Sequence, residues 1–156
     1  MQYPDCLVCK GPAGDDELHR VQVWEDERWR LTTSLVAEVP GFSYLEPKRH
    51  VPFITDLHGD EARTIGEALA RTTSALREAT GAEHVYLYVF GEGIPHLHLH
   101  LAPHRVGDAL SHDMIRGPVT EQQLPSGAFV VSNPEFPPLP EAELRRTADR
   151  VRALLG

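Results

Sequence analysis

Residues 96–102 are the most informative part of the chain and read His96-Leu97-His98-Leu99-His100-Leu101-Ala102. Side chains alternate between the two faces of a β-strand, so the three histidines lie on one face and the three leucines on the other. Imidazole is polar and gains little from packing on a sheet surface, whereas leucine is typical of a core. The stretch therefore predicts a strand with a buried leucine face and a functional histidine face.

Two kinds of site use such a row of imidazoles. The row could hold a metal ion, because imidazole is the commonest metal ligand in proteins. It could also serve phosphoryl transfer, in which one neutral imidazole attacks phosphorus and its neighbours hold the phosphate oxygens. The residues of the row alone leave both interpretations open.

The sequence before the row predicts a hairpin, a strand and a long helix. β-Branched and aromatic residues at 17–24 and 28–36 flank a short acidic turn, which is typical of a β-hairpin. A short strand is expected at 42–46, after a Pro-Gly turn. Between residues 56 and 79, apolar side chains recur every three or four positions, which predicts a helix that ends at Gly81.

The sequence around and after the row completes an α+β pattern. A strand at 84–90 is apolar on both alternating faces, so we expect both faces to be covered. The other segments are predicted to be a second strand, a long loop, a short edge strand, an irregular proline-rich stretch and a final helix, at residues 95–103, 105–127, 129–131, 133–140 and 141–155. The order favours an α+β fold on an antiparallel sheet, in one domain that spans residues 1–156.

Composition and charge argue against several classes of function. The net charge is −8, which disfavours a general nucleic-acid binder because phosphate backbones are held mainly by Lys and Arg. No apolar run is long enough to span a bilayer, and the N-terminus lacks the pattern of a secretory signal. The two cysteines, Cys6 and Cys9, do not make a disulfide framework. We therefore expect a cytoplasmic protein that acts on a small molecule, without nucleic-acid or membrane partners.

The row His-φ-His-φ-His-φ-φ, in which φ is an apolar residue, is the signature of the histidine triad family, which the chain resembles over about residues 5–105. The segment Pro47-Lys48-Arg49-His50 is similar to the family's Pro-Lys-x-His segment. Cys6-x-x-Cys9 is similar to the cysteine pair of the zinc-containing branch, which includes galactose-1-phosphate uridylyltransferases and diadenosine polyphosphate hydrolases. The resemblance implies a five-stranded antiparallel sheet with a long helix and a C-terminal helix, in a chain that forms a homodimer.

The resemblance to the zinc branch implies a structural zinc site. Matched residue by residue, its ligands fall on Cys6, Cys9, His50 and His96. Two thiolates and two imidazoles close a tetrahedral site with no open position, as is typical of structural zinc. Such a site would join an N-terminal zinc knuckle to the strand that carries the histidine row.

The resemblance also implies an enzyme, either a hydrolase of nucleotide-like phosphoesters or phosphoramidates or a nucleotidyl transferase. His98 would attack phosphorus and form a covalent nucleotidyl-histidine. His100 would bind or protonate phosphate oxygens. Contacts with the substrate are implied for Ser34, Glu92, Gly93 and Arg105.

The chain departs from the family pattern at three of these positions. Glu92 stands where the family has Gln, and Ser34 stands where it has the Asp or Asn that contacts ribose. One additional residue, His104, separates Pro103 from Arg105. These departures argue against an adenosine substrate more than against the chemistry of the triad.

Two other functions remain open. In a metal-dependent hydrolase or lyase, His96, His98 and His100 would together hold a catalytic metal. In a nucleotide-binding module without turnover, the chain would bind its ligand and release no product. Glu92 and Ser34 motivate this second interpretation, because they replace residues that serve the substrate in the family.

Overall fold

The computed structural model describes residues 5–108, 110, 117–132, 134 and 139–155. The chain divides into two compact units, Met1–Leu110 and Ser111–Gly156. The expectation of a single domain stays a prediction. None of the described helices is both long and apolar enough to cross a bilayer.

The first unit is a five-stranded antiparallel sheet with one long helix. Its elements are α1 (Pro12–Glu17), β1 (Arg20–Glu25), β2 (Trp29–Ser34), β3 (Ser43–Pro47), α2 (Gly59–Thr80), β4 (His84–Tyr88) and β5 (Leu99–His104). Single turns of 3-10 helix lie at Val8–Lys10 and Ile54–Asp56. The strands follow the order β1-β2-β3-β5-β4, and every neighbouring pair is antiparallel. This arrangement confirms the predicted α+β fold, the hairpin and the strand at 42–46.

The leucine row packs into the main core, as predicted. Leu97, Leu99 and Leu101 are at most 2% exposed and cluster with side chains of β2, β3 and α2. Burial of each such side chain stabilises the fold by about 1.5–3 kcal/mol. The indole N–H of Trp29 donates to the hydroxyl of Thr64 at 3.0 Å, which joins β2 to α2. Helix α2 therefore covers one face of the sheet and leaves the other to the histidines.

Strand β5 begins later than predicted. Its first residue is Leu99, so His96 and His98 precede the regular strand. The N–H of Leu97 donates to the C=O of Val51 at 2.6 Å, and the N–H of His96 donates to the C=O of Ile94 at 2.8 Å. These backbone bonds replace the strand ladder, which explains why the predicted strand from residue 95 is wrong at its start.

Helix α2 begins three residues after its predicted start, because Ile54–Asp56 form a separate turn. It ends where the sequence predicts. Gly81 has a φ of +66°, and its N–H donates to the C=O of Arg77 at 2.8 Å. Residues with a Cβ rarely adopt this left-handed conformation, so a glycine closes the helix at low cost.

Strand β4 is an edge strand, because among the described strands it pairs with β5 alone. Val85 packs against the main core, and Tyr86 and Tyr88 pack against a second apolar cluster on the other face. Leu87 and Phe90, however, are 49% and 59% exposed. The prediction that both faces are covered is thus confirmed only in part. Side chains on an edge strand have neighbouring side chains from one strand only, so part of each face stays exposed.

The second unit contains a hairpin of β6 (Thr120–Gln123) and β7 (Phe129–Ser132), followed by α3 (Glu141–Leu155). Helix α3 and the strand at 129–131 are confirmed. The predicted loop at 105–127 is wrong over β6, which is polar and exposed throughout and so lacks the alternation that marks a half-buried strand. The proline-rich stretch at 133–140 lies mostly outside the described residues.

Candidate functional site

Two cysteines and two histidines form a cluster that could hold a metal ion. The Sγ atoms of Cys6 and Cys9 each lie 3.5 Å from Nδ1 of His96, and Sγ of Cys9 lies 3.3 Å from Nδ1 of His50. All four donor atoms lie within 4.8 Å of one another. Ligands at bond lengths of about 2.0–2.3 Å around a tetrahedral ion are themselves about 3.5 Å apart, so the spacing fits a Cys2His2 site.

His96 is the buried member of this cluster and is held in one orientation. Its Nε2–H donates to the C=O of Pro47 at 2.7 Å, so its Nδ1 carries the lone pair that faces the thiols. Burial lowers the pKa of His96 to about 4, which keeps the ring neutral near pH 7. Burial, and after it Cys6, raises the pKa of the Cys9 thiol to about 11, and a cation between the thiols would reverse that shift.

The cysteines are carried by a compact knuckle, by which we mean residues 6–17, the cysteine loop together with α1. The N–H of Lys10 donates to the C=O of Cys6 at 3.2 Å, which closes the loop. A Cβ added at Gly14 would lie 1.8 Å from the C=O oxygen of Leu7. Helix α1 therefore packs directly on the cysteine loop, and only glycine fits at the contact.

His98 is half-buried, and a backbone hydrogen bond sets its tautomer. Its Nδ1 lies 2.7 Å from the C=O oxygen of His96. A carbonyl oxygen can only accept, so Nδ1 carries the proton and donates. Nε2 of His98 is thereby left with its lone pair available.

His100 lies in an aromatic environment on the same face. Its ring stacks on Tyr88 with centroids 4.7 Å apart and planes at 9°, and Tyr44 meets it edge-on at 5.2 Å. Burial, and after it His98, lowers the pKa of His100 to about 4. Its Nδ1 is buried and has no hydrogen-bond partner among the described residues. At neutral pH His100 is therefore a neutral ring that can donate one hydrogen bond.

The four predicted substrate residues lie on three different segments of the first unit. Ser34 ends β2 on the histidine face, and its Oγ accepts from the N–H of Val36 at 3.2 Å. Glu92 and Gly93 lie exposed in the turn that leads to His96. Arg105 follows β5, and a rise of about 3.3 Å per residue puts it roughly 20 Å from His98 along the chain. The structure does not bring Arg105 together with His98.

Two features of the histidine face were not predicted from the sequence. One is the aromatic environment of His100, which includes Phe42 and Phe90 as well as the tyrosines. The other is a group of four buried charged residues, namely Asp15, Arg20, Arg30 and Glu46. The available signal was the charge at Arg30 and Glu46, each of which stands beside a leucine inside a strand. The sequence pattern does not indicate which acidic side chain pairs with which basic side chain.

Comparisons with known proteins show the fold. No family model and no curated protein matches the chain. Among solved structures, SMU.412c from Streptococcus mutans UA159 is 23% identical with a TM-score of 0.70, over 99% of this chain and 87% of that one. A Hit-like protein involved in cell-cycle regulation from Bartonella henselae is 18% identical with a TM-score of 0.58, over 73% and 91%. A HIT family hydrolase from Legionella pneumophila Philadelphia 1 is 27% identical with a TM-score of 0.51, over 65% and 94%.

Proposed function

We propose that this chain, which has the fold of the histidine triad proteins, cleaves nucleotide-like phosphoesters or phosphoramidates, or transfers their nucleotidyl group, through a covalent nucleotidyl-histidine. His98 is the nucleophile and His100 contacts the phosphate oxygens. Support comes from the complete histidine row and from the likeness in fold to a protein described as a HIT family hydrolase.

The observation that carries this proposal is the hydrogen bond from Nδ1 of His98 to the C=O of His96, at 2.7 Å. It keeps the imidazole in the tautomer whose Nε2 is unprotonated. An unprotonated nitrogen is what an attack on phosphorus requires, because the lone pair forms the new bond. The carbonyl also stabilises the positive charge that the ring acquires during the attack.

The reaction proceeds in two displacements. In the first, Nε2 of His98 bonds to phosphorus while the bond from phosphorus to the leaving oxygen or nitrogen breaks, and the leaving group takes the electron pair. In the second, a water oxygen bonds to phosphorus and the phosphorus–Nε2 bond breaks, which returns the electron pair to His98. The water supplies the proton that the leaving group gains overall. An acceptor phosphate in place of water makes the same chemistry a transfer.

We propose that the metal-binding cluster holds a structural zinc ion through Cys6, Cys9, His50 and His96. The donor set and the 3.3–3.5 Å spacing support this assignment. With four protein ligands the zinc would have no open position, so it would supply structure and no direct chemistry at phosphorus. It would join the knuckle to the segment that carries His98.

A catalytic metal held by His96, His98 and His100 has less support. Within the described residues, one group of three or more potential ligands has its donor atoms close together, and it contains His96 but neither of the other two. Both ring nitrogens of His96 are engaged elsewhere, by Pro47 and by the cysteines. A binding module without turnover remains the second candidate, on account of the carboxylate of Glu92 and the hydroxyl of Ser34.

The test is turnover of nucleoside phosphoramidates, dinucleoside polyphosphates and nucleotide sugars by the purified protein, by His98→Asn, and by His84→Asn as a matched control. His84 is exposed on β4. We expect the wild type and the control to release a nucleoside monophosphate, and His98→Asn to be slower by about 1,000-fold or more. Acid-quenched wild type should also gain the mass of one nucleotidyl group. Equal turnover by His98→Asn would contradict the proposal, and ligand binding without turnover in all three proteins would favour the binding module.

A further inference from the structure

A closed ring of four buried charges lies on the histidine face of the sheet. Its members are Asp15 of α1, Arg20 of β1, Arg30 of β2 and Glu46 of β3, and each is at most 6% exposed. Nε of Arg20 lies 2.9 Å from Oδ1 of Asp15, and its Nη1 lies 2.5 Å from Oε1 of Glu46. Nη2 of Arg30 lies 2.6 Å from Oδ1 of Asp15, and its Nε lies 2.9 Å from Oε2 of Glu46. Each guanidinium thus contacts both carboxylates, and the two positive and two negative charges balance.

Asp15 is the member of the ring that belongs to the knuckle. The other three side chains come from neighbouring strands of the sheet, in the order β1, β2 and β3. The contacts of Asp15 with Arg20 and Arg30 therefore fasten the knuckle to the sheet. Removing this carboxylate would leave two buried guanidinium groups with one carboxylate, which is strongly unfavourable in a site shielded from water.

Helix α1 transmits the position of Asp15 to the cysteines. The N–H of Asp15 donates to the C=O of Gly11 at 2.9 Å, and one residue, Lys10, separates Gly11 from Cys9 along the chain. The close approach of Gly14 to Leu7 leaves no room for α1 to slide on the cysteine loop. His96 of the metal-binding cluster donates to the C=O of Pro47, the residue after Glu46, which places the ring next to that cluster.

We propose that Asp15 is a positioning residue of the metal site. Its ion pairs hold the knuckle on the sheet before the metal binds, so that Cys6 and Cys9 already face His50 and His96. Preorganised ligands bind more tightly, because less conformational freedom is lost on binding. Removal of a group that orients metal ligands typically lowers metal affinity by about 10–100-fold. This inference rests on the zinc assignment proposed above.

The first experiment measures zinc affinity by competition with a chromophoric chelator, for the wild type, Asp15→Asn, Asp16→Asn and Glu46→Gln. Asp16 is exposed, so Asp16→Asn makes the same change of charge in the same helix outside the ring. Glu46→Gln breaks the ring on the sheet side and leaves both contacts of Asp15 in place. We expect a loss of about 10–100-fold for Asp15→Asn, a smaller loss for Glu46→Gln and none for Asp16→Asn.

Melting temperatures of the metal-free and zinc-loaded forms separate positioning from a merely structural role. If the ring only stabilises the fold, Asp15→Asn lowers both melting temperatures equally and leaves the zinc affinity unchanged, which would overturn the proposal. If the wild type itself takes up no zinc, the zinc assignment fails as well. If the wild type and Asp15→Asn both bind zinc with the same affinity, the role of Asp15 is wrong while the zinc assignment stands.

A second experiment needs no variant and so does not depend on the folding of Asp15→Asn. Hydrogen exchange is followed in the wild type before and after removal of zinc by a chelator. We expect the amides of α1 to stay protected without zinc while those of the cysteine loop exchange faster, because the ring holds α1. Equal loss of protection in α1 and in the cysteine loop would show that zinc alone fastens the knuckle, contrary to the proposal.

Discussion

Backbone carbonyls set the tautomers of the first two histidines of the row, and they set them in opposite ways. His96 donates from Nε2 to Pro47, which directs Nδ1 at the cysteines. His98 donates from Nδ1 to His96, which leaves Nε2 free. His100 has neither arrangement and is packed among aromatic rings. The three histidines thus have three different chemical environments, because each ring contacts different neighbours.

The buried ring of His100 predicts a loss of stability in acid. Its folded-state pKa is lowered to about 4, below the ordinary value of 6.5, so the unfolded chain binds the proton more readily between these values. Stability from this group is complete above pH 6.5 and is lost as the pH falls towards 4. We expect the wild type to lose about 1–2 kcal/mol more than His100→Gln over this range, after allowance for partial solvent screening.

Urea denaturation of both proteins at several pH values measures this difference. His84→Gln is the control, because it makes the same replacement at an exposed position of the same sheet. The same slope in the wild type and in His100→Gln would show that protonation of His100 costs nothing in the folded state.

Among the elements, β5 serves the core and the site together, while β4 serves neither fully. Strand β5 lies between β3 and β4, so its leucine face is covered by the core and its other face carries His100. Strand β4 lies at the edge and exposes Leu87. Its outer row of backbone N–H and C=O groups is not paired within the five-stranded sheet. Edges of this kind are usually protected or paired with another chain.

We propose that β4 is covered in a homodimer, and this predicts the effect of a charge at its exposed apolar position. Leu87→Lys should weaken dimerisation by more than about tenfold, because a lysine would lose its hydration in an apolar contact. Val21→Lys is the matched control, since Val21 is 45% exposed on β1, at the opposite edge of the sheet. Light scattering across a range of concentrations measures the mass. A wild type that stays monomeric, or equal weakening by both variants, would contradict the proposal.

In the molecule as a whole, the metal-binding cluster connects distant parts of the first unit. Cys6 lies 90 residues from His96 along the chain, and Cys9 lies 41 residues from His50. Bringing such distant residues together costs conformational entropy, and part of that cost is already incurred when the sheet folds. A bound metal ion would therefore add stability to the folded state, since the unfolded chain offers no preformed site.

Removal of zinc should accordingly lower the melting temperature. At a free zinc concentration a thousandfold above the dissociation constant, binding contributes about 4 kcal/mol, which corresponds to a shift on the order of 10 °C. Differential scanning fluorimetry with and without a chelator measures the shift, and Cys9→Ser should show little response. An unchanged melting temperature in the wild type would argue against zinc in this cluster.

The α+β class, the hairpin, helices α2 and α3 and the buried leucine row follow from the sequence alone, because they depend on alternation and helical periodicity, which neighbouring residues along the chain express. The four potential metal ligands follow from the resemblance of Cys6, Cys9, His50 and His96 to the ligands of the zinc branch. The tertiary structure alone decided the tautomers of His96 and His98, the exposed edge at β4 and the ring through Asp15. Arg20 and Glu46 are 26 residues apart, and nothing local to either predicts that they meet. A buried charge is tolerated only beside its partner, and packing decides which partner that is.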